Sequence, residues 1–161
     1  LKPMLLSSLD PDGMGMSNGD LKSYEMEFLT LAQNKNLEIK GLETIAFQMS
    51  IFDSIPYRVQ AEMLLEQIIQ KDSGVSMMDE LAAIYKKQDI QEMERMMQDD
   101  AGMDQFKDLL LFRRNKRWVA PIIELMRNKP TFFAVGAGHL PGEMGVISLL
   151  RQAGFTLEPM Y

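Results

Sequence analysis

Residues 131–135, Thr-Phe-Phe-Ala-Val, are the point at which this otherwise helical sequence changes texture, with Pro130 before them and Gly136 after them. Branched and ring side chains suit a pleated, packed surface, and the flanking breakers keep a helix from running through, so the segment is expected to be a buried strand. Beyond the turn GAGHLPGE at 136–143, Val146, Leu149, Leu150 and Ala153 recur at helical spacing. Gly154 stands where a C-capping glycine belongs, and FTLEPMY reads as a second strand. Strand, helix, strand in that order is a βαβ unit, which implies parallel strands joined by a right-handed crossover. The expected fold class is therefore α/β and helix-rich, a short, mostly parallel sheet with several added helices.

The rest of the chain supplies those helices. Leu21, Tyr24, Phe28, Leu31 and Ala32 mark an amphipathic helix with Asp20 as a candidate N-cap and Asn-Lys-Asn at its end. It follows a Gly-, Asp- and Asn-rich stretch at 10–20 that reads as an exposed loop. LEIKGLE at 37–43 alternates apolar and polar side chains and reads as a short strand with Glu43 at its exit. Thr44 can cap a helix over 44–53, and Pro56 separates it from another over 56–70. Two further faces are set by Met78, Leu81, Ala82, Tyr85 and by Ile90, Met93, Met97, with a break at Lys-Lys-Gln-Asp. Phe106, Leu109, Leu110 and Val119, Ile122, Ile123, Met126 suggest two more helices, with the basic run 113–117 as a solvated junction and Trp118 packed inward. Met63, Met78, Met93, Met97 and Met126 fit a flexible core better than a methionine-lined groove.

Composition narrows the function classes. Length is right for one domain, with 161 residues of which 46% are hydrophobic. Seventeen Lys and Arg against 23 Asp and Glu give a net charge of -6, so a nucleic-acid partner is not expected. No apolar stretch reaches the roughly 18 residues a membrane span requires. With no cysteine in the chain, thiolate ligands and cysteine nucleophiles are excluded.

The chemistry concentrates at the turn. In an open α/β sheet the functional crevice lies at the carboxyl ends of the strands, and the single histidine, His139, falls there between Gly138 and Pro141. Gly136 and Gly138 permit close backbone approach, Pro141 favours the start of the next helix, and Glu143 complements its dipole. A lone histidine cannot make a catalytic metal centre, which takes about three protein ligands and a water. Glu43, ending another short strand, is the local candidate for a second ligand or a catalytic acid, although a helix-capping carboxylate is an equal reading. Arg114 could pair with a substrate carboxylate and Asn115 orient it. Gly136, Gly138 and Gly142, with Glu158 after the next strand, approach a dinucleotide fingerprint, but Pro141 stands at its third-glycine position. No serine stands in a nucleophile elbow.

Leu-Lys-Pro at 1–3, GLET at 41–44, FDSIP at 52–56, Arg114-Asn115, and VGAGHLPGEMGVISLLRQAGF at 135–155 together resemble the TraB/GumN (PrgY) family. That family is related to the Tiki metalloproteases and more distantly to erythromycin esterase and ChaN-like proteins. The resemblance runs in order along almost the whole chain; its most specific part is GAGHLPG with the following helix. The family pattern has two G-x-x-H motifs, of which residues 136–139 match the C-terminal one. The other has no counterpart, so the chain is expected to be the C-terminal portion of a single, incomplete domain. The resemblance implies His139 and Glu43 as metal ligands or catalytic groups, Arg114 and Asn115 as polar residues of the site, and Gly136, Gly138 and Gly142 against substrate. It further implies a divalent ion (zinc, manganese or cobalt) in the full-length protein and a metal-dependent hydrolase acting on peptides. The alternatives are a peptide-binding, signal-shutdown protein without catalysis and, on the glycine pattern, a nucleotide-binding domain. A bacterial envelope or periplasmic location follows from the resemblance alone. A missing sheet strand would leave an exposed edge, from which a homodimer is expected.

Overall fold

The computed structural model describes residue 3 and residues 23–72, 77–99 and 106–160. The first two residues of the chain, the loop at 10–20, its capping Asp20 and Leu21 lie outside the described residues. The chain divides into two compact units, Leu1–Val75 and Ser76–Tyr161.

The first unit holds three described helices, α1 (Tyr24–Asn34), α2 (Ile45–Asp53) and α3 (Tyr57–Asp72). Ser23 caps α1, its hydroxyl accepting from the Met26 N–H at 3.4 Å, and Glu25 and Glu27 place negative charge at the positive end of the helix. The helix stops where Asn36 turns to a φ of +52°, a conformation asparagine tolerates better than most residues. Thr44 caps α2 through the Phe47 N–H at 3.1 Å, and Pro56 separates α2 from α3, both as the sequence implies. Gln60 of α3 is completely buried and donates to the carbonyls of Phe52 and Ile55 at 2.8 and 2.7 Å. It closes the corner over the buried Ile51 and Ile55.

In the second unit α4 (Met77–Lys86) and α5 (Ile90–Asp99) flank a break at which Gln88 has a φ of +58° and Asp89 accepts from the N–H groups of Gln91 and Glu92. Among the described side chains of the two helices Ile84 and Met93 are buried, whereas Ala82 and Tyr85 are exposed. A π-helical turn, Asp108–Phe112, leads directly into α6 (Arg113–Asn128). The basic run expected to join two helices is thus the first turn and a half of one helix. Its charges fit there because Arg113, Lys116 and Arg117 point to solvent while Asn115, Trp118 and Ile122, at spacings of three and four, form the buried stripe. A 3₁₀ turn (Ala137–His139) and α7 (Val146–Gln152) follow, with α7 packed on α6. The α7 end is a Schellman motif: Gly154 has a φ of +90°, its N–H reaches Arg151 O, and the Phe155 N–H reaches Leu150 O.

The expected α/β class with a parallel sheet is overturned, because among the described residues there is no strand. Residues 37–43, 131–135 and 155–160 lie outside the helices and exchange no ladder hydrogen bonds. A strand is defined by its partner, and alternation in one segment cannot supply one. Burial does alternate along 131–135, but Phe132 is 75% exposed, so this is not a buried strand. Glu43 and Glu158 accordingly end no strands, and the dinucleotide reading loses the βαβ context it requires. The edge-strand argument for a homodimer goes with the sheet.

Candidate functional site

Helix α6 and the turn at 136–145 build one polar cluster in the second unit. Asn115, one helical turn before Trp118, is 1% exposed, and its Nδ2 donates to two carbonyls of the turn, His139 O at 3.3 Å and Met144 O at 2.8 Å. One side chain of α6 thereby ties the motif loop at His139 and at Met144. The 3₁₀ turn is closed by the His139 N–H on Gly136 O at 2.9 Å, and it carries His139 inward to 8% exposure.

The His139 ring touches three side chains of α6. Nδ1 lies 2.6 Å from Asn115 Oδ1, and Nε2 lies 3.4 Å from Nη1 of Arg114. The Trp118 ring packs against it with centroids 4.5 Å apart, tilted by 46°. Arg114 is itself braced, with its guanidinium 5.1 Å over the Trp118 ring and Nη1 donating to Leu110 O at 3.0 Å. Arg114 and Asn115, adjacent in sequence, thus reach opposite ends of one imidazole.

Of the glycines around His139 named from the sequence, Gly142 is the one whose conformation and surroundings require glycine, and Gly145 joins it. Gly136 has a φ of -58°, and a Cβ there would meet only His139 Cδ2 at an ordinary 3.7 Å. Gly142 has a φ of +79° and faces the Glu94 carboxylate of α5, which lies 2.5 Å from the place of a Cβ. Gly145, which the sequence reading passed over, has no room for a side chain because the Leu140 and Pro141 carbonyls occupy it. Only its spacing within GHLPGEMG hinted at it. Gly138 and Gly142 border a cavity of about 360 Å³ whose walls include Leu111, Phe112, Pro141 and Met144. Glu143 lies before α7, not in its first turn.

Glu43 belongs to the first unit, where its Oε1 accepts from Gln48 Nε2 at 3.0 Å. Among the described residues no three His, Cys, Asp or Glu side chains are grouped as metal ligands. The donor set around His139 is one imidazole beside a guanidinium, so these residues by themselves do not fit a metal centre. Nor is any described helix long and apolar enough to cross a membrane.

The second unit is helical and presents a buried, braced histidine on a glycine-bordered turn beside a small cavity. The chain belongs to the TraB/PrgY/gumN family, whose sequence model matches residues 1–159. It is similar to a metalloprotease TIKI homolog of Nematostella vectensis, 39% identical over 56 residues, or 33% of this chain and 12% of that protein. It is likewise similar to the metalloprotease TIKI2 of Xenopus tropicalis, 41% identical over 56 residues, or 33% of this chain and 11% of the relative. The match to the TIKI homolog of Amphimedon queenslandica is 37% over 52 residues, covering 30% and 10%. The matched stretch is therefore about a tenth of each relative's length. No solved structure matches the chain at a significant level.

Proposed function

We propose that the full-length protein is a peptide hydrolase of the metalloprotease kind and that this chain contributes the part of its site built around His139. The observation that carries the reading is the convergence of Arg114 and Asn115 on a histidine buried to 8% exposure, a costly arrangement for a surface turn that had only to change direction. The family and the metalloprotease character of the Tiki relatives support hydrolysis and peptide substrates. His139 has a role as proton acceptor or ligand, and Arg114 can pair with a peptide carboxylate or with negative charge developing on a carbonyl oxygen. The adjacent cavity, whose walls combine Leu111, Phe112 and Met144 with the charged Glu94, Lys107 and Glu143, has room for a substrate side chain. Glu43 enters as a catalytic acid or ligand through the family resemblance, and its substitution belongs in the same experiment.

The grouping of ligands is incomplete among the described residues, and this favours one rival, capture of a peptide without cleavage. Digestion of a mixed peptide library by the full-length protein, with zinc, manganese or cobalt supplied in turn, separates the two. Cleavage that falls at least about 100-fold in His139→Ala and Glu43→Gln supports the hydrolase. Peptide binding without cleavage under every ion supports the rival, and neither binding nor cleavage sinks both.

A further inference from the structure

We infer that Asn115 is a positioning residue that locks His139 in one neutral tautomer, with the proton on Nδ1 and the lone pair on Nε2. The argument begins with the amide. Asn115 Nδ2 faces two carbonyl oxygens, those of His139 and Met144, and only an NH₂ group can satisfy them; the opposite orientation would set an oxygen against both. The amide oxygen is thereby committed to the ring, 2.6 Å from Nδ1. An oxygen acceptor at that distance requires a proton on Nδ1.

The other end of the ring gives the same answer independently. An Arg114 nitrogen lies 3.4 Å from Nε2, and a guanidinium is a donor only, so Nε2 meets it with a lone pair. A proton on Nε2 would point at a donor, and a bare Nδ1 would point at an acceptor. The Leu110 carbonyl and the Trp118 ring hold the guanidinium in place. A ring fixed in this way presents its lone pair to the Arg114 guanidinium, so the neutral imidazole is the form this arrangement favours, and Nε2 can take a proton or a ligand only when Arg114 turns away. The tautomer stands whether or not the full-length protein hydrolyses peptides.

His139 is the only histidine in the chain, so its two ring nitrogens can be read without assignment in the ¹⁵N-histidine-labelled 161-residue protein. Two-bond ¹H–¹⁵N correlation near neutral pH should show Nδ1 protonated and Nε2 bare, with the Nδ1–H form favoured at least about tenfold. A dominant Nε2–H form in the wild type overturns the proposal. Asn115→Asp keeps the acceptor and should keep the proton on Nδ1. Asn115→Leu removes it and should move the proton to Nε2, so an unchanged pattern in a folded N115L overturns the role of Asn115. Arg114→Met provides a variant that leaves the amide in place. Its Nδ1 proton should remain, and a switch of tautomer there would assign the lock to Arg114 and overturn the proposal.

Discussion

At Gly145 a single methyl group meets the Leu140 and Pro141 carbonyls, which are backbone and cannot swing aside. Gly145→Ala should therefore cost about 2 kcal/mol, the scale of overpacking a tight site, read as a lower denaturant midpoint at unchanged slope. Gly136→Ala at the head of the same motif should be nearly silent, since its Cβ would make one ordinary contact and its φ is -58°. The sequence pointed to His139, Arg114 and Asn115 by residue type and motif. It did not show that they meet, because a run of five charged and polar residues reads as a solvated junction. Its pattern resolves only when 114, 115 and 118 are set on a helix, where they share a face. Spacing alone does not say which glycine of the motif must be glycine, because the need for one is set by neighbours distant in sequence, such as Glu94 against Gly142.

Among elements, the helices and their ends were the legible part because their signals are local. Thr44, Pro56 and Gly154 act at the positions their chemistry implies. Strands were not legible, since 131–135 has the right residue types but pairing depends on a partner that no local pattern encodes. Two element-scale predictions follow from side chains that join or cap helices. Gln60→Leu keeps the bulk but removes the amide that donates to the Phe52 and Ile55 carbonyls, of which Phe52 O keeps the Ile55 N–H, and it should destabilise the α2–α3 corner by about 2 kcal/mol in denaturant titration. At α1, the Ser23 hydroxyl donates to Glu25 at 2.6 Å and holds that carboxyl below its usual range. Because the folded value is the lower one, this contribution is present above the unfolded value and disappears as pH falls through the folded one. Ser23→Ala should move the Glu25 titration upward toward the ordinary carboxylate range by NMR, with the backbone N–H hydrogen bond still lowering it, and lower the stability of α1 by about 1 kcal/mol through loss of the cap.

For the molecule as a whole, the balance of apolar exposure is the decisive quantity. In the first unit Ile51 and Ile55 are buried, while Tyr24, Met26, Leu31, Leu37, Ile39, Ile45 and Tyr57 are each more than half exposed, Ile45 at 77%. Apolar exposure on this scale favours association, and it replaces the sheet edge as the reason to expect self-association. The 18.4 kDa chain should sediment above its monomer mass, increasingly with concentration. Salt discriminates the cause. A contact driven by apolar surface between copies that each carry a net charge of -6 should tighten as salt screens their repulsion, whereas one built on ion pairs should loosen. Ile45→Glu with Leu31→Lys places charge on that surface, the glutamate in the first turn of α2 where the helix dipole favours it, so the helices should persist while the mass falls to that of a monomer. A wild-type chain that stays monomeric at its highest attainable concentration and at high salt would remove self-association as an outlet for this surface.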